Sequence, residues 1–343
     1  MGNSGKRVAL ILAGGAGTRL WPLSTEERPK QLLEIFNGRS LLQMTFDRIA
    51  AVVPPESIYI ATQQKYLEEI LRQIPSASRD RILVEPARRN TGPAIATCMA
   101  TLDSLHPDST VGIFPSDHFV GDQEAFGRAL NDAFDFATRK DFLVTIAIEP
   151  TEPSTGFGYL EVGEEIESPV SRVERFVEKP DESRAREFLA SGRYAWNAGM
   201  FVWRTDVFRA ALSEHAPEIA TLAWTPADSD EDRTRLYESM PSISIDYALM
   251  EKATTVAAIR AGFDWSDVGS WGAVASLVPN ESSDRVVQEN SSETYVVTDG
   301  RRPVLLVGCD RLVVIDSPEG LLVLNLDHQD ALRAAVDKLK KKD

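Results

Sequence analysis

A chain of 343 residues, 43% apolar and 26% charged, has material for a sizeable core and the make-up of a soluble globular protein. The formal net charge of −15 argues against a general nucleic-acid surface, so no nucleic-acid partner is expected and an anionic substrate must meet a local cationic patch or a metal ion. No apolar stretch approaches the roughly 20 residues of a membrane span, and the opening Met1–Lys6 is too short and polar for a signal peptide. Cys98 and Cys309 are far apart and read as reduced, buried thiols, so the expected setting is cytoplasmic, with no membrane partner.

The first element is Val8–Leu12, an apolar, partly β-branched run with the pattern of a buried parallel strand. It leads directly into Ala13-Gly14-Gly15-Ala16-Gly17-Thr18-Arg19-Leu20. Three glycines strip side chains from this turn, so backbone N–H groups can approach phosphate oxygens while Arg19 adds a fixed charge. The spacing is neither the dinucleotide fingerprint, since Leu20 stands where its third glycine would be, nor a P-loop. Trp21-Pro22-Leu23-Ser24 and Arg28-Pro29-Lys30-Gln31 follow and place a second cation, Lys30, after a proline-stiffened loop. A structural turn would explain the glycines alone; the two cations favour a phosphate-handling site.

Further strands are expected at Ser57–Ala61, Ile82–Glu85, Val111–Phe114 and Phe142–Ile148, with helices near Leu41–Val52, Tyr66–Ile74, Ala94–Leu105 and Ala125–Ala137. This alternation predicts an α/β fold, a mostly parallel sheet covered by helices on both faces. Such sheets bind ligands at the carboxyl ends of their strands, and the polar motifs follow Leu12, Val84 and Phe114. In Glu85-Pro86-Ala87-Arg88-Arg89-Asn90-Thr91-Gly92-Pro93, Asn90 or Thr91 caps a helix with Pro93 in its first turn, and either arginine is a candidate for a ligand contact. In Pro115-Ser116-Asp117-His118, Asp117 is either a turn cap or a ligand for a hard divalent cation. Asp267, within Asp264–Trp271, is the second candidate acid, and the four histidines have no zinc spacing.

Strands at Gly156–Val162, Arg172–Val177 and Gly199–Trp203 and helices at Ser183–Ala190 and Ile245–Lys252 suggest an inserted or appended lobe. Gly158, Glu178, Lys179 and Asn197 give it a carboxylate, an amide and a cation suited to a sugar, though strand-edge and turn roles explain each singly. Short strands at Thr294–Val297, Val304–Val307, Leu312–Ile315 and Leu321–Leu324, then a helix from about Asp330, read as a small β module. The expected division is 1–279 for a catalytic domain and 280–343 for this module. No nucleophilic serine or cysteine has a plausible base. The inventory of phosphate grip, two cations and two acids suits phosphoryl or nucleotidyl transfer, where catalysis is mostly positioning and charge neutralisation.

The motifs Leu12–Ser24, Arg28–Gln31, Glu85–Gly92, Pro115–His118, Gly156–Glu161, Glu178–Pro180, Asn197–Trp203, Ser244–Lys252 and Asp267–Trp271 resemble, in order, those of the sugar-1-phosphate nucleotidyltransferases. Leu20–Ser24, Arg28–Gln31 and Ile245-Asp246-Tyr247-Ala248 are similar to the mannose-1-phosphate guanylyltransferase branch. The resemblance implies a Rossmann-like domain with a C-terminal β-helix-like module used for homodimer contacts. It implies transfer of GMP from GTP to mannose 1-phosphate with Mg2+, catalysed by Arg19, Lys30, Asp117 and Asp267, the two acids holding the metal. It assigns Leu12, Gly14, Gly15, Gly17, Thr18, Glu85, Pro86, Asn90, Thr91 and Ser116 to the nucleotide, and Gly158, Tyr159, Glu178, Lys179 and Asn197 to the sugar phosphate. Longer relatives add an isomerase domain for which this chain leaves no room, so isomerisation is not expected. The same chemistry on a heptose or glucose 1-phosphate, or with another nucleotide, is the nearest rival. A non-catalytic sugar-nucleotide sensor is disfavoured because all four charged residues are present.

Overall fold

The computed structural model describes residues 5–15, 17–278 and 285–341. The chain forms two compact units: Met1–Gly14, Thr45–Ser116 and Val120–Trp265 make up the first, and Gly15–Met44, Asp117–Phe119 and Ser266–Asp343 the second. The expected boundary between residues 279 and 280 lies outside the described residues. Among these residues, no helix is long and apolar enough to cross a membrane.

The strands are β1 (Arg7–Leu12), β2 (Ile58–Gln63), β3 (Ile82–Glu85), β4 (Thr110–Pro115), the two-residue β5 (Phe119–Val120), β6 (Leu143–Ile148), β7 (Tyr159–Glu167), β8 (Val170–Val177), β9 (Tyr194–Arg204) and β10 (Val256–Arg260). In the first unit, all but β5 form one sheet in the order β3-β2-β1-β4-β9-β6-β10-β8-β7. β1 pairs in parallel with β2 and β4, and β6 with β10, whereas β9 lies antiparallel between β4 and β6. Only β8 and β9 oppose the common direction, so the sheet is mostly parallel. β7 to β10 extend this single sheet, so residues 159–260 are an addition to it and not a domain of their own.

Alternation along β4 shows why both faces are covered. Val111 and Ile113 belong to a core with Met99, Leu102, Phe201, Trp203 and Phe208. Gly112 and Phe114 point the other way: a methyl group at Gly112 would lie 2.9 Å from Phe134, and Phe114 meets Phe126 edge-on. Phe126 and Phe134 belong to the helix Gln123–Arg139, which buries both. Successive strand side chains leave opposite faces, and each face therefore meets its own helices. Cys98 is buried within the first of these cores, and both cysteines are free, Cys309 only partly buried.

In the second unit, Val286–Glu289 pairs in parallel with Val304–Val307, and Tyr295–Thr298 with Leu312–Ser317. The bridge between Ser292 and Asp310 spans 18 residues, and Val286↔Val304 and Tyr295↔Val313 keep that offset. A fixed offset between stacked parallel strands is β-helical winding. Gly320–Asn325 folds back antiparallel on Leu312–Ser317, and the helix Leu332–Leu339 follows. This module shares its core with the early loop: Leu20, Leu33, Phe36 and Leu41 pack with Val268, Trp271, Tyr295, Val313, Ile315 and Leu322. Trp271 Nε1 donates to the Trp21 carbonyl at 2.9 Å, tying the loop down.

Candidate active site

In the second unit the glycine-rich turn is shaped by what crowds it. Gly17 has φ +51, and a methyl group there would lie 2.6 Å from the Lys30 nitrogen, so both conformation and space require glycine. Next comes the short 3-10 turn Thr18–Leu20, carrying Arg19; the Thr18 side chain lies outside what is described. Gln31 Nε2 donates to the Gly15 carbonyl at 2.9 Å. In the first unit, Thr62 and Gln63 donate to the carbonyls of Ala13 and Gly14 at 3.2 and 2.6 Å. A trans peptide sends its N–H opposite its C=O. Anchoring the carbonyls of Ala13 and Gly14 therefore turns the N–H groups of Gly14 and Gly15 away from those anchors, the orientation that an anion would use.

The second unit also brings the four charged candidates together. Lys30 Nζ lies 2.9 Å from Asp117 Oδ2 and donates to the carbonyls of Asp267 at 2.5 Å and Val268 at 3.3 Å. Arg19 NH1 lies 3.8 Å from Asp267 Oδ2. The Lys30 side chain is only 5% exposed, that of Asp117 35%. Burial works to raise the Asp117 carboxyl, but the Lys30 ammonium, His118 and hydrogen bonds outweigh it and hold the acid below the usual carboxylate range. Asp267 is positioned by strained backbone: buried Val268 has φ +50, which a β-branched residue rarely adopts, and its N–H donates to Ser266 Oγ at 3.1 Å.

No group of three or more metal-ligating side chains occurs among the described residues. Two partly exposed carboxylates still fit magnesium, which characteristically takes one or two protein carboxylates and completes its shell with water and substrate phosphates.

The nucleotide candidates of the first unit converge at strand ends. Leu12 ends β1 and Ser116 follows the neighbouring β4, and the buried Ser116 hydroxyl donates to the Leu12 carbonyl at 2.7 Å. Glu85 closes β3 beside exposed Pro86, and a methyl group at Gly14 would meet Glu85 Oε1 at 2.5 Å, so a side chain there would displace that carboxylate. Asn90, at φ +66, caps the helix Thr91–Leu105, its side chain accepting from the Thr91 N–H. Thr91 Oγ1 accepts from the Ile245 N–H at 2.9 Å, joining this helix to the segment before Asp246.

The sugar-side candidates form a second cluster in the same unit. A methyl group at Gly158 would lie 2.6 Å from Glu178 Oε2, and Lys179 donates to Glu178 Oε1. Buried Asn197 is held on three sides: its Oδ1 lies 2.8 Å from the Thr145 hydroxyl and accepts from the Gly199 N–H, and its Nδ2 donates to Asp246 Oδ1 at 3.1 Å. Burial, then repulsion from Glu178, pushes the Asp246 carboxyl up to about 6. Tyr159 is a core residue: its ring packs on Phe188 and its hydroxyl donates to the Ser154 carbonyl. Only its backbone borders the cluster.

Sequence reasoning passed over Tyr237, Thr145 and Val268. Tyr237 donates to Glu85 Oε2 at 2.9 Å across 152 residues of chain, a separation at which no local signal exists. Asp246 stood in a quoted motif without a role. Between the two arginines left open, Arg88 is exposed, while the charge of Arg89 reaches Tyr237.

The profile of the Nucleotidyl transferase family matches residues 8–282. The chain belongs to the nucleotidyl transferase family. Among curated members, the xanthan biosynthesis protein XanB of Xanthomonas campestris pv. campestris is 37% identical over 348 residues, covering 96% of this chain and 73% of its own. The mannose-1-phosphate guanylyltransferase of Klebsiella pneumoniae is 34% identical over the same shares. A solved structure from Thermus thermophilus, described as a mannose-1-phosphate geranyltransferase, superposes with a TM-score of 0.88 at 34% identity, over 98% of this chain and 99% of that one. This nucleotidyl transferase thus shares its fold over nearly its whole length with that structure.

Proposed function

We propose that the protein transfers GMP from GTP to α-D-mannose 1-phosphate, giving GDP-mannose and pyrophosphate, with Mg2+ as the divalent ion. The observation that carries this reading is the cluster in which Lys30 and Arg19 lie against Asp117 and Asp267. Nucleotidyl transfer needs cations and metal-holding acids more than a nucleophile. Relatives named mannose-1-phosphate guanylyltransferase support guanine and mannose as the particular partners.

In the reaction a phosphate oxygen of mannose 1-phosphate attacks the α-phosphorus of GTP in line. The bond from that phosphorus to the bridging oxygen breaks, and pyrophosphate leaves with the electron pair. Lys30 and Arg19 offset charge that grows on the leaving group. Asp117 and Asp267 would hold Mg2+, which when bound neutralises phosphate charge. Backbone N–H groups at Gly14 and Gly15, with Leu12, Gly17, Thr18, Glu85, Pro86, Asn90, Thr91 and Ser116, are assigned to the nucleotide. Glu178 and Asn197 fix sugar hydroxyls, Lys179 meets the sugar phosphate, and Gly158 and the Tyr159 backbone admit the ring.

We assign the β-helical strands to a homodimer contact. Val287, Leu305, Val307, Leu321 and Val323 are each more than half exposed, and Val287 pairs with Leu305 on one face. Val287, Leu305 and Val307 share one two-stranded sheet, and exposed apolar side chains of this kind favour a partner surface. Two free thiols support a reducing, cytoplasmic setting. A pyrophosphate-release screen of four nucleotides against a panel of sugar 1-phosphates tests the function. GTP with mannose 1-phosphate should be fastest; a faster pair of another base or sugar would overturn the assignment.

A further inference from the structure

Tyr237 lies on the helix Asp230–Ser239, a segment rich in charge whose one buried side chain it is. Its ring is 1% exposed, and its hydroxyl donates to Glu85 Oε2 at 2.9 Å. The other carboxyl oxygen, Oε1, lies along the Cα of Gly14, where even a methyl group would be 2.5 Å away. One oxygen is therefore gripped by the protein, and the other is directed to the glycine-rich turn.

Burial alone pushes the Glu85 carboxyl up, and the Tyr237 hydrogen bond acts against it. The other groups facing this pair are Cys98 and Arg89. Cys98, with its thiol pushed up by burial and by Glu85, stays neutral. The protonation state matters because it sets the hydrogen-bonding sign. An ionised carboxylate only accepts, whereas a protonated acid also donates. The Watson–Crick edge of guanine offers two adjacent donors, N1–H and the 2-amino group; that of adenine offers an acceptor at N1.

We propose that Tyr237 is a positioning residue that sets base choice, holding Glu85 as an oriented acceptor for the donor edge of guanine. The proposal rests on the reading that Glu85 meets the base. Tyr237 touches no substrate, and acts by keeping Glu85 charged and rotationally fixed.

The test compares kcat/KM for GTP and for inosine triphosphate, which lacks the 2-amino group, in wild type, Glu85→Gln and Tyr237→Phe, together with the acid limb of the GTP profile. Tyr237→Phe should lower the GTP preference about tenfold, the worth of one hydrogen bond to a charged group. It should also move the acid limb to higher pH, because the bond that favours the carboxylate is gone. A second protein carrying 3-fluorotyrosine at position 237 keeps the shape and donates more strongly. Its acid limb should move to lower pH, and it decides the matter if the Phe variant does not fold.

If Glu85→Gln abolishes the preference while Tyr237→Phe keeps both preference and acid limb, the role of Tyr237 is wrong and the base contact stands. If Glu85→Gln keeps the preference, Glu85 does not meet the base and both ideas fall. An acid limb unmoved by fluorotyrosine likewise overturns the proposal.

Discussion

Replacing Lys30 with Met keeps the buried stem and removes only the ammonium, whose loss strands three oxygens: a carboxylate of Asp117 at 2.9 Å and the carbonyls of Asp267 and Val268. Breaking a fully buried ion pair costs about 3–5 kcal/mol. Asp117 keeps about a third of its side chain in water, which reduces its share to about 2 kcal/mol. The two orphaned carbonyls add about 1 kcal/mol or more each. The sign with pH follows from the depressed Asp117 carboxyl. A carboxylate held below its unfolded value of about 3.9 contributes stability above that pH, and loses it as pH falls through the folded value. The Lys30→Met penalty should therefore be largest near neutrality and shrink below about pH 4. Urea denaturation at pH 7 and pH 3.5 measures it, and adding Asp117→Asn should recover most of the loss. A penalty that is equal at both pH values, or undiminished by the second substitution, would refute this account of the pair.

Asp117→Asn and Asp267→Asn should each fold and lose about 100-fold or more of Mg2+-dependent turnover, with a higher magnesium requirement; normal turnover at low magnesium removes that residue from the site. Leu305→Glu with Val307→Glu should leave the fold intact, since both side chains face outward, and convert a dimer to monomer in sedimentation; an unchanged sedimentation coefficient rejects the dimer surface.

The sequence revealed most where chemistry is local. Val8–Leu12 and Ile82–Glu85 carry their own strand pattern, and Asn90 before Pro93 declares a helix start, so these elements lie where the pattern places them. β10 was not legible: Val256–Arg260 is short and alanine-rich, and is a strand because Leu143–Ala147 and Val170–Arg172 flank it in the sheet. The helix Asp230–Ser239 lacks an apolar stripe, which hid both the helix and Tyr237. In the site, the residue types were readable but their pairing was not. Lys30 and Asp267 are 237 residues apart, and only the fold makes the Asp267 carbonyl a partner of the Lys30 ammonium. The strain at Val268 carries no sequence signal, since valine is ordinarily a residue of extended backbone.

The central claim is guanylyl transfer to mannose 1-phosphate, and the most direct measurement is kcat/KM for GTP against UTP with that sugar. Uracil offers one ring N–H between two carbonyls, so it leaves an acceptor built for guanine's paired donors partly unmatched and sets a carbonyl against it. Each unpaired buried group costs about 1–3 kcal/mol, and the account predicts a preference for GTP of about 100-fold. Comparable values for the two nucleotides would contradict it and place the chain with a different base among the nucleotidyl transferases.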